Sequence, residues 1–253
     1  MISTINNKNY RIDLPGNRIT FLDSRWYFCE DGTPVPSVTT ILDAYPKTAD
    51  YYAWLKRMGE DADTVRDEAG RRGSKVHSLT EDYDTGLEVS LFDGEGDLNI
   101  SLMEWNMFSR YVEFSNRFPH ANEIIEAQLI SSTLGYAGTL DRIINLNGKK
   151  VLVDIKTSNA IYESYWLQLA AYKNLLEEAG TMVDDSAILW LNAKTRTDGK
   201  KDAIQGAGWQ MIFRDHKEQI KDLQLFDHTR ALWLSQNEDI APKQISYQLS
   251  HKK

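Results

Sequence analysis

Two aspartates and a lysine lie in and near one apolar segment of the chain, and such a group can bind a cation. Asp154 and Lys156 belong to the run Val-Leu-Val-Asp-Ile-Lys-Thr, residues 151–157, whose branched apolar residues predict a buried strand. Asp154 and Lys156 share a face of that strand, because side chains two positions apart point the same way. Asp141 lies thirteen residues before Asp154, and Asn147-Gly148 between them predicts a two-residue hairpin turn. The sequence therefore predicts that Asp141 and Asp154 face each other on adjacent antiparallel strands.

Two carboxylates brought together in a buried place repel each other and are costly to remove from water. A divalent cation would relieve that repulsion, because oxygen ligands suit hard cations. Lys156 would add a positive charge beside the same group. We therefore expect a divalent cation to be bound by Asp141 and Asp154.

The predicted helices around this group determine what else can reach it. Upstream, the glycines of Gly70-Arg-Arg-Gly73 predict a tight turn or a close approach of the backbone before the next helix, which has His77 near its start. By itself, a lone histidine on a helix is more often a structural residue than a ligand. Downstream, Gln168 and Tyr172 are four positions apart in a helix predicted over residues 162–179, so they share one face of it.

Four motifs, in this order, resemble the active-site core of the PD-(D/E)XK nucleases, and more closely that of their RecB-like exonuclease branch. That branch includes small phage enzymes and the mitochondrial genome maintenance exonuclease. An Asp-x-Lys sequence alone occurs by chance in many chains, so the resemblance depends on the complete set, and it covers residues 34–195. The motifs are Gly73-x-x-x-His77, Gly138-Thr-Leu-Asp141, Asp154-Ile-Lys-Thr157 and Gln168-x-x-x-Tyr172.

The resemblance implies an α/β fold with a restriction-endonuclease-like core, in which helices flank a central mixed β-sheet. We expect a single nuclease domain over residues 1–253. It would begin with a β-rich N-terminal cover (residues 1–33) and a helical region with the histidine motif (residues 34–120). The catalytic sheet (residues 121–213) and a C-terminal helix with a tail (residues 214–253) would follow.

The resemblance also implies how a cation would be held. Mg²⁺ or Mn²⁺ would be bound by Asp141, Asp154, the backbone carbonyl of Ile155, and His77. A neutral imidazole ligand suits Mn²⁺ better than Mg²⁺, which leaves the metal open. Glu126, in the first catalytic strand, would lie at the edge of the site as a further catalytic residue, or it would be a carboxylate that faces outwards.

The remaining motif residues would act on the substrate. Lys156 would stabilise negative charge in the transition state, because the neighbouring carboxylates oppose the lowered pKa that a base needs. Gln168 would orient Lys156 or contact a phosphate, and Tyr172 would pack or hydrogen-bond beside it. Basic residues ahead of the histidine motif would either contact DNA phosphates or form a solvated helix end: Arg71, Arg72 and Lys75.

The activity implied is metal-dependent hydrolysis of DNA by an exonuclease, on single strands or strand ends, in phage or bacterial recombination, repair or replication. Two alternatives are a nuclease-fold DNA-binding or assembly subunit with little turnover, and a restriction-type endonuclease. The sequence contains no nucleotide-binding loop, so any use of ATP would require a helicase or recombination protein as a partner.

Composition limits these readings. The 253 residues are 42% hydrophobic. They include neither an apolar run long enough for a membrane helix nor an apolar N-terminal signal segment. We therefore expect a cytoplasmic protein of a bacterium or phage-infected cell, without a membrane partner. The single Cys29 excludes an internal disulfide, a zinc site built from cysteines and a four-cysteine iron–sulfur cluster. A net charge of −8 argues against a uniformly basic DNA-binding surface, although seven acidic residues are concentrated in residues 81–97.

Flanking elements complete the prediction. Short strands are expected at residues 10–14, 19–22 and 26–29, and a long helix over residues 214–234. A helix predicted over residues 48–58 contains Tyr51, Tyr52 and Trp54. We expect these rings to pack in the core, with stacking on the bases of single-stranded DNA as the alternative.

Overall fold

A small antiparallel sheet precedes the helices and the central sheet. The computed structural model describes residues 18–195, 202–238 and 240–242. The first three strands span Arg18–Phe21 (β1), Ser24–Phe28 (β2) and Pro34–Pro36 (β3), and they pair in that order. The Tyr27 hydroxyl is 3.0 Å from the Thr139 hydroxyl, so this sheet is joined to the central one. The strand predicted at residues 10–14 lies outside the described residues.

Four helices follow, and side chains cap the N-termini of the first, second and fourth. They span Val38–Ile41 (α1), Ala49–Met58 (α2), Ala62–Asp84 (α3) and Leu102–Arg117 (α4). The Ser37 hydroxyl accepts a hydrogen bond from Thr40 N at the start of α1, as the sequence predicts for a serine in that position. Helix α4 begins with a reciprocal capping box between Ser101 and Glu104.

A five-stranded mixed sheet forms the centre of the molecule. Its strands span Ala121–Ser131 (β4), Tyr136–Leu146 (β5), Lys149–Lys156 (β6), Asp185–Trp190 (β7) and Gln210–Phe213 (β8). They lie in the order β4-β5-β6-β7-β8. Strands β6 and β7 are parallel, whereas the other neighbouring pairs in this sheet are antiparallel. The prediction of a mixed α/β sheet flanked by helices, with an additional N-terminal sheet, is confirmed.

Local signals explain how the central strands connect. Asn147 and Gly148 both have positive φ, 54° and 83°, which is the backbone of the predicted hairpin turn between β5 and β6. The parallel pair β6–β7 needs a crossover, and this is helix α5, Glu163–Glu178. The last helix, α6, spans His216–Gln236.

Two hydrophobic layers hold the sheet between helices. On one face, α1, α5 and α6 pack against alternate sheet residues such as Leu140 and Leu152. On the other face, α3 and α4 pack against Val153, Ile155 and their neighbours. Since Asp154 shares the face of Leu152 in the alternation of β6, its side chain belongs to the side of the sheet that α5 covers.

Helix α3 differs from the prediction. Of the two alternatives predicted for Gly70 and Gly73, the tight turn is absent, because the helix is continuous over 23 residues to Asp84. The two glycines lower helix propensity. Buried contacts of Val76 and Leu79 further along the helix outweigh that cost. At Gly73 a side chain would lie 3.3 Å from the Thr157 hydroxyl, so this glycine allows α3 to approach the end of β6 closely.

Helix α2 also corrects an expectation. Its capped boundaries agree with the predicted helix, but none of its residues is buried. Tyr52 is 53% exposed, and the rings of Tyr51 and Trp54 contact each other at a centroid distance of 5.9 Å. The prediction that these aromatic side chains pack in the core is therefore wrong, because Tyr51 and Trp54 are only partly buried and Tyr52 is exposed.

The end of the chain is described only in part. Helix α6 confirms the helix predicted over residues 214–234. The loop at residues 196–201 and the tail from residue 243 lie outside the described residues. Among the helices of the described ranges, none combines the length and the apolar character needed to span a bilayer.

Candidate active site

Three side chains of types that can bind a metal, from three elements, meet at one end of the central sheet. His77 of α3, Glu126 of β4 and Asp141 of β5 each offer one ligand atom, and these atoms lie within 4.8 Å of one another. His77 Nδ1 is 3.3 Å from Asp141 Oδ1 and 3.8 Å from Glu126 Oε1. The His77 side chain is 28% exposed and that of Glu126 is 25% exposed, so solvent reaches this donor cluster.

A strained backbone aims Glu126 into the donor cluster. Its φ is +49°, a conformation that residues other than glycine rarely adopt. The flanking pairs Ile125–Arg142 and Ala127–Leu140 place Glu126 opposite Asp141. Its Oε1 is buried and makes no hydrogen bond among the described residues, so its charge is balanced only by the ion pairs with His77 and Arg142 at 3.8 and 3.5 Å. The sequence predicts Glu126 at the edge of the site, whereas the structure places it inside the donor cluster.

The strands β5 and β6 separate where the site begins. Their last ladder pair is Arg142–Val153, and one step further along the same register Asp141 lies opposite Asp154. Here the Ile155 N–H donates to Asp141 Oδ2 at 2.7 Å instead of to a backbone carbonyl. Because the N–H and C=O of one strand residue point to the same side, the Ile155 carbonyl is directed towards Asp141. That direction suits its predicted role as a ligand.

Asp154 lies outside the three-donor cluster. Its Oδ2 is 2.7 Å from Lys156 Nζ, and its side chain is only 3% exposed. This contact is an ion pair without good hydrogen-bond alignment, since the same oxygen makes no hydrogen bond within the described residues. Asp154 therefore holds Lys156 beside the donor cluster, and its direct binding of a metal stays a prediction.

A chain of polar side chains fixes the Lys156 ammonium. Lys156 Nζ donates to Gln168 Oε1 at 3.0 Å, and Gln168 Nε2 donates to Tyr172 OH at 2.9 Å. The contact between Gln168 and Lys156 is the one that the motif resemblance implies, and its role in orienting Lys156 for catalysis stays a prediction. Tyr165 adds a contact that sequence reasoning missed, because its ring centroid lies 4.5 Å from Lys156 Nζ. A tyrosine three residues before Gln168 on the same helix was the available signal.

The charges of these groups depend on one another. Burial opposes protonation of His77, but the Asp141 and Glu126 carboxylates outweigh burial and raise the pKa of His77 to about 10. Burial also works against ionisation of Asp141, but His77 and Lys156 hold the pKa of Asp141 below its usual value. For Asp154, burial dominates over the attraction of Lys156 and raises the pKa to about 6. Without a metal, His77 is thus a protonated partner of two carboxylates.

Lys156 is poorly suited to act as a base. Burial lowers the pKa of its ammonium, but Asp154 and Asp141 outweigh burial, so the pKa is raised. The direction agrees with the expectation from the sequence, in which the carboxylates oppose deprotonation. Lys156 therefore supplies a fixed positive charge.

The donor set fits a divalent cation. Two carboxylates and an imidazole are ligands that Mn²⁺ and similar ions accept, and oxygen ligands suit Mg²⁺. The observation that favours an ion here is Glu126 Oε1, which makes no hydrogen bond among the described residues. Its ion pairs with Arg142 and His77 are long, at 3.5 and 3.8 Å, so a cation would bind this oxygen more closely. His77 must lose its proton to become a ligand, so ion binding would release a proton.

The predicted basic residues lie on α3 ahead of His77. Arg71 is exposed, whereas Arg72 and Lys75 are partly buried. The Arg72 Nε is buried and has no hydrogen-bond partner among the described residues. Their position in the helix that carries His77 is compatible with phosphate contacts, and that role stays a prediction.

Gly138 makes room for the Tyr172 ring beside the site, and we expect alanine at this position to be harmful. A Cβ on Gly138 would overlap Tyr172 Cε1, and Tyr172 is 4% exposed, so the ring has little space to move. We expect Gly138→Ala to lower the free energy of unfolding by about 2 kcal/mol and to disturb the Gln168–Tyr172 contact. Urea unfolding monitored by tryptophan fluorescence measures the first effect.

A matched glycine substitution should have the opposite sign. Gly70 lies within α3, and an added Cβ there meets nothing within 4 Å. We expect Gly70→Ala to raise the free energy of unfolding by roughly 1 kcal/mol, because alanine favours the helix over glycine. Equal changes in the free energy of unfolding for Gly138→Ala and Gly70→Ala would contradict the close packing of Gly138 and Tyr172.

Comparisons with known proteins add little to this geometry. No protein-family model matches the chain, and no curated protein matches it significantly. Among solved structures, the chain is similar to a crystal structure described as "Putative exonuclease" from Eubacterium rectale. The TM-score is 0.43 at 13% identity, and the match covers 82% of this chain and 83% of that chain. At this level of likeness, a function for the chain must be argued from its own site residues.

Proposed function

We propose that the protein is a metal-dependent deoxyribonuclease of the PD-(D/E)XK superfamily, in the RecB-like exonuclease branch. The observation that carries the proposal is the three-donor cluster of His77, Glu126 and Asp141 beside a buried, oriented Lys156. Negative donors for a cation and a fixed ammonium next to them are what hydrolysis of a phosphodiester requires.

Each side chain of the site has a part in this reaction. Asp141, Glu126, His77 and the Ile155 carbonyl would hold Mg²⁺ or Mn²⁺, with Asp154 as a further ligand. When bound, the ion supplies a water of lowered pKa and neutralises phosphate charge. Lys156 stays protonated and stabilises the negative charge that develops on the phosphate.

Fixed geometry makes Lys156 effective. Gln168 and Asp154 hold its ammonium from two sides, and the Tyr165 ring covers a third. Tyr172 in turn holds the Gln168 amide. A charge that is already oriented needs no reorganisation during the reaction, so this hydrogen-bonded chain has a catalytic rather than only a structural value.

We propose further that the substrate is single-stranded DNA or a strand end. Support comes from α2, whose aromatic side chains include the 53% exposed Tyr52 and are available to stack on bases. Arg71, Arg72 and Lys75 would contact the phosphates. A cytoplasmic setting in a bacterium or phage-infected cell, with a helicase or recombination protein as partner, belongs to the same proposal.

End-labelled DNA tests the function directly. We expect Mn²⁺ or Mg²⁺ to allow release of short products from a linear single strand, and EDTA to stop it, while a covalently closed single-stranded circle stays intact. Comparison of 5′ and 3′ labels gives the polarity. Cleavage of circles at the rate of linear strands would replace the exonuclease with an endonuclease, and intact DNA in every reaction would contradict nuclease activity.

A second candidate is a DNA-binding or assembly subunit with little turnover. It is favoured by one observation, since the protonated His77 can satisfy Asp141 and Glu126 without any metal. The net charge of −8 is also unusual for an enzyme that contacts DNA. Tight DNA binding in EDTA, without metal-dependent products, would support this second candidate over the first.

A further inference from the structure

Arg142 is the largest fully buried side chain among the described residues, with a relative exposure of 1%. It follows Asp141 in β5, and its side chain lies on the face of the sheet where α3 packs, since it contacts Thr80 and Asp84 of that helix. Burying a guanidinium costs several kcal/mol unless its donors are all used. Its contacts should therefore show why an arginine stands here.

The guanidinium of Arg142 joins helix α3 to the sheet. Its Nε donates to Asp84 Oδ2 at 2.7 Å, and its Nη2 donates to the Thr80 hydroxyl at 3.2 Å. Asp84 also accepts a hydrogen bond from the Tyr111 hydroxyl of α4 at 2.5 Å. Two helices and a strand thus meet at one buried charge.

The same guanidinium reaches all three parts of the donor cluster. Its Nη1 donates to the Asp141 backbone carbonyl at 2.7 Å and lies 3.5 Å from Glu126 Oε1. The Thr80 hydroxyl, which accepts from Arg142, donates to the His77 backbone carbonyl at 2.8 Å. Arg142 contacts Asp141 and Glu126 directly and His77 through Thr80.

We propose that Arg142, acting with Thr80, is the positioning residue for the donor cluster. This inference depends on the proposed metal centre, but it concerns how this chain sets the spacing of its three donors. Helix α3 carries His77, and its distance from β4 and β5 is fixed by the Arg142–Thr80–Asp84 contacts. Without them, His77 would no longer be held close to Asp141 and Glu126, and an ion would lose one of its ligands.

Mn²⁺ affinity, measured by isothermal titration calorimetry on metal-free protein, tests the proposal. We expect Arg142→Lys, which keeps the charge but loses the fork of donors, to bind Mn²⁺ about tenfold more weakly. Since that variant can fail to fold, the deciding pair is Thr80→Val, which loses the hydroxyl, and Thr80→Ser, which keeps it. We expect about a tenfold loss of Mn²⁺ affinity for the first and restored affinity for the second.

A matched substitution separates positioning from general stability. Thr229 is also a buried helical threonine, and its hydroxyl donates to the Leu225 carbonyl within α6. We expect Thr229→Val to lower the thermal midpoint, as Thr80→Val does, and to leave Mn²⁺ affinity unchanged. Wild-type Mn²⁺ affinity in Thr80→Val would overturn the proposal.

The outcome for DNA cleavage is separate. If the wild-type protein binds Mn²⁺ and the Thr80 pair differs as expected, but no DNA is cleaved, the nuclease function fails and the positioning role stands. If the wild-type protein takes up no Mn²⁺, the metal centre and the positioning role both fall.

Discussion

Lys156→Met should lower the rate of DNA cleavage by about 10³-fold without weakening Mn²⁺ binding. The rate falls because the charge that stabilises the transition state is lost. Mn²⁺ binding is maintained or strengthened because the ammonium, 2.7 Å from Asp154 Oδ2, no longer competes for the carboxylates. Single-turnover cleavage at saturating Mn²⁺, together with calorimetric titration of the ion, measures the two effects separately.

The matched control for Lys156 lies on the same strand. Lys149 is exposed at the hairpin end of β6, and Lys149→Met removes the same charge away from the site. This control should retain both cleavage and Mn²⁺ binding. A Lys156→Met protein that cleaves DNA within tenfold of the wild-type rate would remove Lys156 from the mechanism.

Asp154→Asn should make the metal-free protein more stable while it lowers cleavage about a hundredfold or more. Burial raises the pKa of Asp154 from its ordinary 3.8 to about 6, so the ionised carboxylate destabilises the fold at neutral pH. The gain in the free energy of unfolding at pH 8 should be on the order of 1 kcal/mol, because the variant also removes the charge partner of the buried Lys156 ammonium, which offsets part of the effect. Urea unfolding in EDTA measures the gain.

The pH dependence of the free energy of unfolding is a second test of whether Asp154→Asn stabilises the fold. A carboxyl whose pKa is raised in the folded state lowers stability as pH rises from the unfolded pKa through the folded one. The gain in the free energy of unfolding of Asp154→Asn over wild type should thus be absent below about pH 3.8, reach about half its full value at pH 5, and be complete above about pH 6.

Asp141→Asn is the contrasting variant. Since His77 and Lys156 hold the pKa of Asp141 low, its ionised form stabilises the fold. This variant should therefore lose stability at pH 8 as well as cleavage. A loss of stability in Asp154→Asn as well would contradict the different surroundings of the two aspartates.

The parts of the site that the sequence predicts are those with local signals. Asn147-Gly148 requires two positive φ values, which few other dipeptides adopt easily, so the β5–β6 hairpin could be predicted. The spacing of Gln168 and Tyr172 likewise determines that they share a helix face. Both of these local predictions agree with the structure.

The parts that the sequence does not predict depend on distant contacts. The left-handed backbone of Glu126 has no local signature, since it follows from the packing of β4 against β5 and α3. The continuity of α3 through Gly70 and Gly73 depends on contacts made further along the helix and on Arg142. The exposure of α2 cannot be read from its apolar spacing, because the spacing of a stripe does not say whether anything covers it.

The left-handed backbone at Glu126 affects whether two copies of the protein can pair through strand β4. Strand β4 is long and lies at the outer edge of the sheet, and such an edge can recruit the strand of another chain into a continuous ladder. An irregular register between Asn122 and Ile124, and the positive φ at Glu126, interrupt its row of outward hydrogen-bonding groups. We therefore expect the backbone that turns a carboxylate inwards also to disfavour the pairing of β4 with a strand of another copy.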